Sequence, residues 1–244
     1  MKTIVIVIPT YNEKENIENL TRSIEDIYNK IKNKINLKIL IVDDNSPDGT
    51  GIIADNLTKI YKNFHVLHRT QKNGLGMAYI DGLKYAINNL KTDYVLTMDC
   101  DLSHSPSYIP DFIEHLDNYD LIIGSRYIKG GGTYKWPLYR RIISSGANTL
   151  AKIFLGIKSN DCTSGFRVYS KEALNKIKFE NIQSNGYSFL IEILYRCFKE
   201  GLKVHEIPFV FIDRSLGKTK MSKKEIFKTL STLIRLKIRG YDNG

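Results

Sequence analysis

Cysteine and tryptophan are scarce in this chain, which has three of the first and one of the second among 244 residues. Cys100, Cys162 and Cys197 are odd in number, far apart and without paired-ligand spacing. That pattern excludes a disulfide framework or a structural zinc module and points to reduced thiols. The five histidines also lack metal-ligand spacing, and His104 reads as structural or exposed. Long hydrophobic runs are missing: no segment approaches the roughly 20 apolar residues that span a bilayer. The first apolar stretch, Ile4 to Ile8, is stopped by Pro9, too soon for a secretory signal. Repeats and low-complexity tracts are absent too. These absences leave a globular chain, cytosolic or held peripherally on a membrane.

The composition, 42% hydrophobic and 25% charged, suits one sizeable domain with a substantial core. Its net charge of +10 has two readings. Abundant Lys, Asn and Ile suggest compositional drift, while function would call for anionic partners such as nucleotide sugars, lipid phosphates or a membrane surface. Nucleic acid is not expected, because no basic stripe is interleaved with aromatics.

Short apolar runs alternate with helical periodicity in the first half. Ile4 to Ile8, Lys38 to Val42, Phe64 to Leu67, Tyr94 to Met98 and Asp120 to Gly124 are too apolar to have a wet face, so they read as buried strands. Ile17, Leu20, Ile24, Ile27 and Ile31 mark a first helix, with Asn12 and Glu15 as a variant capping box. Further helices are expected around Ile52 to Ile60 and Leu83 to Leu90. The class is α/β, a Rossmann-like single domain with a mostly parallel mixed sheet and helices on both faces. The second half reads as a helix from Leu138 to Leu155, a polar loop from Asp161 to Arg167, a helix from Phe189 to Phe198 and a strand from Lys203 to Ile212 interrupted by Pro208. Residues 1–222 would form the catalytic domain and 223–244 a basic amphipathic helix and tail. That helix has an apolar stripe of Ile226, Phe227, Leu230, Leu233 and Ile234; it could pack on the domain, lie on a membrane or meet a partner's helix.

In sheets of this kind ligands bind beyond the carboxyl ends of the strands. Four such ends carry polar groups: Pro9-Thr10-Tyr11-Asn12-Glu13, Asp43-Asp44-Asn45-Ser46, Asp99-Cys100-Asp101 and Ser125-Arg126-Tyr127. Side chains two apart on extended backbone share a face, so Asp99 and Asp101 can hold one divalent cation against a diphosphate. Asn73-Gly74-Leu75-Gly76 lacks the remaining residues of a phosphate loop or dinucleotide fingerprint and is read as fold geometry.

The segments Ile8 to Glu13, Val42 to Thr50 and Met98 to His104 resemble the inverting glycosyltransferases of the GT-A fold. With Gly124 to Tyr127, Arg140 to Ser144, Gly146 to Asn148, Thr163 to Arg167 and Asp213-Arg214, the chain is most similar to the family-two dolichyl-phosphate (polyprenyl-phosphate) β-mannosyltransferases that lack transmembrane helices. The resemblance covers nearly the whole chain. It implies mannose transfer from GDP-mannose to dolichyl or polyprenyl phosphate with inversion, supplying glycan, GPI-type or glycoprotein assembly at the cytoplasmic face of a membrane, the endoplasmic reticulum in a eukaryote.

On this resemblance Pro9, Tyr11 and Glu13 receive the guanosine, with Val42 and Asp44 across from them; Asp43 and Asp44 could exchange roles. Asp99, Cys100 and Asp101 bind the donor, and Asp99 and Asp101 ligate Mg2+ or Mn2+. Ser103 joins them only weakly, since related enzymes carry Gln at this place. Arg214 and Lys220 would neutralise the leaving diphosphate from a closing loop. Arg126, Arg140 and Ser144 would seat the acceptor phosphate, and Asp99, Asp101 and Arg126 form the catalytic set. A lipid phosphate is already ionised, with a second pKa of about 6 to 7 by analogy with phosphorylated side chains, so no general base is required. Partner candidates are the membrane surface and small transmembrane subunits. Two rivals remain: a polyprenyl-phosphate glucosyltransferase or polysaccharide transferase using a UDP-sugar, and an inactive adaptor of a membrane complex.

Overall fold

The computed structural model describes residues 1–213 and 223–241, without the side chains at 187, 223–227 and 239. The chain runs β1 (Lys2–Thr10), α1 (Ile17–Ile31), β2 (Ile35–Asp43), α2 (Thr50–Ile60), β3 (Phe64–His68), α3 (Leu75–Asn88) and β4 (Tyr94–Thr97). It continues through α4 (Ile109–Glu114), β5 (Leu121–Ser125), β6 (Gly132–Tyr134), α5 (Leu138–Leu155), β7 (Arg167–Ser170) and α6 (Lys171–Ile177). The last elements are α7 (Tyr187–Lys199), β8 (Val204–Pro208), β9 (Val210–Ile212) and α8 (Lys223–Arg239).

A seven-stranded sheet in the order β3-β2-β1-β4-β7-β5-β8 forms the centre, and β6 pairs with β9 beside it. Only β7 runs antiparallel to its neighbours in the large sheet. The sheet is therefore mixed and mostly parallel, so β1, β2, β4 and β5 all end at one edge. Alternation along β1 divides the core: Val5 and Val7 face α3 and α7, while Ile4, Ile6 and Ile8 face α1 and α2. Close packing of α3 depends on Gly82, where a Cβ would lie 2.5 Å from Val7 and 2.9 Å from Val42.

Several boundaries differ from the sequence reading. The start of α1 carries no capping box: Asn12 has φ +59°, and Glu13 O accepts from the N–H groups of Asn16 and Ile17. The strand expected from Lys203 to Ile212 does break at Pro208, and its two pieces join different sheets. Pro208, which lacks an N–H, ends β8, and the next amide, of Phe209, donates to Ser125 O at 3.1 Å. The loop expected to end at Arg167 instead leads into β7, whose polar Arg167 and Ser170 are buried between β4 and β5. In α8 the stripe is rotated: Thr232, Leu233 and Leu236 are buried against the domain, whereas Ile234 is 51% exposed. Ile226 and Phe227 lie outside the described side chains. Arg235 of the same helix donates to the buried Glu192 of α7 and to Ser184. Thus α8 packs on α5 and α7 as part of the domain.

Candidate active site

A cavity of about 630 Å³ opens at the strand-end edge. One end is lined by Pro9 at the close of β1, by Tyr11 and Glu13 after it and by Asp44 after β2. The neighbouring acids separate cleanly. Asp43 turns back to accept from Ser46 Oγ at 2.6 Å, while Asp44 lines the cavity. Val42, expected against the base, moves one layer down: it shares Asp44's face of the strand but is wholly buried against α3.

Two cations at this end escaped the sequence reading. Arg69, just beyond β3, donates to Asp44 and, from Nε, to Asp81 Oδ2 at 2.8 Å. With Arg69 and Asp44 side chains each 7% exposed, the guanidinium fixes the Asp44 carboxylate. Lys72 places its ammonium 3.3 Å from the centre of the Tyr11 ring, a cation–π contact. Neither belongs to a recognisable motif, and both depend on partners distant in sequence.

Asp99 and Asp101 follow β4 into the middle of the cavity, with the buried Cys100 between them. Burial, and then Glu13, Asp101 and Asp99, push the Cys100 thiol well up, so it stays protonated. The Asp99 N–H donates to His104 Nδ1 at 3.0 Å, which leaves the ring's hydrogen on Nε2, 3.9 Å from Asp99 Oδ2. Burial lowers the His104 pKa more than nearby acids raise it, and the neutral ring stacks on Phe166 with centroids 4.9 Å apart. His104 is structural, as expected, and also positions Asp99. Asp101 Oδ1 accepts from both the N–H and the hydroxyl of Ser103, which is 1% exposed and outside the cavity lining. Ser103 therefore holds Asp101 from behind.

Among the described residues no three or more His, Cys, Asp or Glu converge on a point. A pair of carboxylates opening on this cavity fits Mg2+ or Mn2+, because Mg2+ is commonly held by one or two carboxylates with substrate phosphates and waters completing the shell.

The opposite wall comes from the segment after β5 and from α5. Arg126 lines the cavity and forms a fork with Asp161, Nε to Oδ2 and Nη2 to Oδ1, each 2.7 Å. Nη2 also donates to Thr163 Oγ1 at 2.8 Å. Burial alone would raise the Asp161 pKa, but Arg126 overrides it and holds the carboxyl below its usual range. On α5, Arg140 lies 4.2 Å from the Trp136 ring centre and donates to Asp213 at 2.7 Å; buried Ser144 is one turn further on. Both arginines come paired with an acid. Asp161 and Asp213 were visible as loop residues but not as partners, because the chain separations give no local signal. Arg214 and Lys220 lie outside the described residues. The remaining expected residues, Pro9, Tyr11, Glu13, Asp44, Asp99, Cys100, Asp101, Arg126, Arg140 and Ser144, all line this one cavity.

The sequence matches glycosyl transferase family 2 over residues 5–178. The chain belongs to glycosyltransferase family 2. It is 37% identical to the polyprenol monophosphomannose synthase of Mycolicibacterium smegmatis, over 97% of this chain and 87% of that protein. It is 38% identical to the undecaprenyl-phosphate mannosyltransferase of Micrococcus luteus, over 90% of this chain and 87% of the relative. Among solved structures it is similar to glucosyl-3-phosphoglycerate synthase from Mycobacterium tuberculosis in complex with Mn2+, uridine diphosphate and glucosyl-3-phosphoglycerate. That match has TM-score 0.67 and 20% identity, covering 100% of this chain and 82% of the other. The same enzyme with Mg2+ and uridine diphosphate gives TM-score 0.66 at 18% identity, with 100% and 82% covered. These structural likenesses concern the fold. This family 2 glycosyltransferase has the GT-A architecture, and among its described residues no helix is long and apolar enough to cross a membrane.

Proposed function

We propose that the protein transfers mannose from GDP-mannose to the phosphate of dolichol or another polyprenol, with inversion, at the cytoplasmic face of a membrane. The observation that carries this reading is that one cavity brings together Asp99, Asp101, Arg126, Arg140 and Ser144 and is also lined by the apolar Ile143, Ala147 and Leu150. A sugar diphosphate suits the acidic middle when a divalent cation is bound, a phosphate suits the arginines, and a prenyl stem suits the apolar wall. The two curated relatives, both named for mannose transfer to polyprenol phosphates, support the same assignment.

Departure of GDP from C1 builds negative charge on the diphosphate and positive charge on the sugar. Mg2+ or Mn2+ bound at Asp99 and Asp101 would supply Lewis-acid stabilisation of that leaving group. Ser103 and His104 hold the two acids in place so that little reorganisation accompanies the reaction. Arg126 and Arg140 orient the acceptor phosphate behind C1, and its existing charge removes the need for a base. For the base of the donor, Asp44 offers a fixed carboxylate that can accept from the adjacent N–H donors on one edge of guanine, whereas uracil has one such donor. On the same reading Arg214 and Lys220, outside the described residues, would neutralise the leaving diphosphate. Small transmembrane subunits are compatible partners.

A transfer assay with purified protein, radiolabelled GDP-mannose and dolichyl or polyprenyl phosphate tests the reading directly. Chelator-sensitive product in the lipid phase is expected, with little from UDP-glucose. Efficient transfer from UDP-glucose and none from GDP-mannose would replace it with the glucosyltransferase reading, and no transfer from any donor would favour an inactive adaptor.

A further inference from the structure

We infer that the outward face of α5 seats this enzyme on an anionic bilayer. This helix carries the phosphate-site residues Arg140 and Ser144 on its buried side, with Asn148 and Ala151 continuing that side. Its other side is apolar and uncovered: Leu138 is 71% exposed, Tyr139 62%, Ile142 62%, Leu150 37%, Ile153 71% and Phe154 39%. No other helix presents such a concentration among the described residues, and apolar exposure on this scale marks a contact surface. Helical spacing places Leu138, Ile142 and Ile153 in one stripe, with Ser145 and Thr149 between them.

Two observations select a bilayer as the occupant. First, the cavity opens onto this face. Gly146 and Leu150 are exposed and also belong to the cavity wall, so a phosphate held at Arg140 and Ser144 has its attached chain directed past Leu150 toward the apolar stripe. Secondly, α5 carries Arg141 and Lys152 away from its buried side and no acidic residue, and exposed Lys135 and Lys158 flank it. A second copy would set like charges against one another, whereas anionic headgroups complement them. Tyr139 supplies an aromatic side chain of the type that settles at a headgroup boundary. At 18 residues with three basic side chains, the helix lies in the interface rather than crossing it. The C-terminal α8, by contrast, spends Leu233 and Leu236 on the core.

This inference rests on the proposed lipid-phosphate acceptor, yet vesicle binding tests it without catalysis. Co-sedimentation with phosphatidylcholine vesicles containing phosphatidylglycerol is expected to fall roughly tenfold or more for the double variant Ile142→Glu, Ile153→Glu. Its melting temperature should match the unaltered protein, because both positions are solvent-exposed. Ile52→Glu, on the distant α2 and 69% exposed in the parent, controls for added charge and should bind as before. Transfer to long-chain polyprenyl phosphate in the vesicles should fall with binding in the double variant, while transfer to a short, water-soluble prenyl phosphate is unchanged. Equal sedimentation of the double variant and the parent, or no sedimentation of the parent, overturns the inference. So does a parent dimer that the double variant converts to monomer, which would make a second copy the occupant. If the parent binds vesicles through α5 but transfers sugar to neither lipid, the inference stands and the assigned acceptor falls.

Discussion

The proposed donor and acceptor sides of the cavity are built by different means. On the donor side, Tyr11, Asp44, Asp99 and Asp101 leave the ends of parallel strands whose register alone brings them together. On the acceptor side, Arg126 and Arg140 come from a post-strand turn and a helix, and each is fixed by an acid from a remote loop. Strand ends can present carboxylates to a cation without burying them completely: the Asp99 side chain is 41% exposed. The arginines beneath the apolar cavity wall are nearly dry, with side chains 6% and 7% exposed, and their paired acids keep the isolated charge from being buried alone. Activity should therefore be more sensitive on the first side, and folding on the second.

The largest expected effect tests the donor side. Asp101→Ala should lower kcat by about a thousandfold, the scale of losing one strong electrostatic contribution to a transition state. Its stability should fall by about 1–3 kcal/mol, because the N–H and hydroxyl of the buried Ser103 lose their acceptor. Titration with Mn2+ should show weakened metal dependence in the same variant. Undiminished turnover would remove the metal-site assignment.

Asp161→Ala makes the contrasting experiment. It leaves Arg126 buried without its forked partner and should cost about 3–5 kcal/mol of stability, the usual penalty for breaking a buried ion pair from one side. Urea denaturation of the two alanine variants would expose the difference, and equal stability loss in both would erase the distinction drawn between the sides. The pH dependence has a definite sign. Because Arg126 holds the folded Asp161 pKa below its unfolded value near 3.8, this carboxylate contributes stability fully above that value. The contribution disappears as pH falls through the lower folded pKa. Asp161→Asn should flatten that acid limb of the stability profile.

Arg69→Met should act on donor affinity more than on turnover. Loss of a charge-assisted hydrogen bond of about 1.5–3 kcal/mol would raise the donor KM roughly ten- to hundredfold, with a smaller change in kcat. Should KM for GDP-mannose stay constant while only stability falls, Arg69 is a structural clamp and Asp44 does not read the base.

The same contrast explains what could be read before the structure was known. Buried parallel strands are continuous apolar runs, so β1, β2 and β4 and the acids at their ends were visible locally. Their neighbour β7 was not, because Arg167 is wholly buried yet looks like a loop residue; its guanidinium donates to Leu190 O and Cys162 O, each at 2.8 Å. Arg126 and Arg140 were legible as candidates through family motifs, but Asp161 and Asp213 were not legible as partners. Arg69 was missed for the same reason, its contacts arriving from Asp44 and Asp81. Sequence periodicity also identified α8 as amphipathic without fixing which apolar residues face inward: Leu233 and Leu236 do, while Ile234 does not. Orientation came from tertiary packing and from the Arg235–Glu192 pair.

Ser103→Ala should give the smallest effect and sharpen the account of how strand-end acids are held. The hydroxyl donates to Asp101, but the Ser103 N–H donates to the same oxygen at 3.1 Å and survives the substitution. Losing the hydroxyl alone should cost about 1 kcal/mol, or roughly fivefold in kcat, through a less well-oriented carboxylate. A metal-ligand role predicts another pattern: the apparent affinity for Mn2+ would fall in step with kcat. If kcat falls several-fold while Mn2+ affinity is retained, Ser103 positions Asp101; if both fall together, its oxygen belongs to the metal shell.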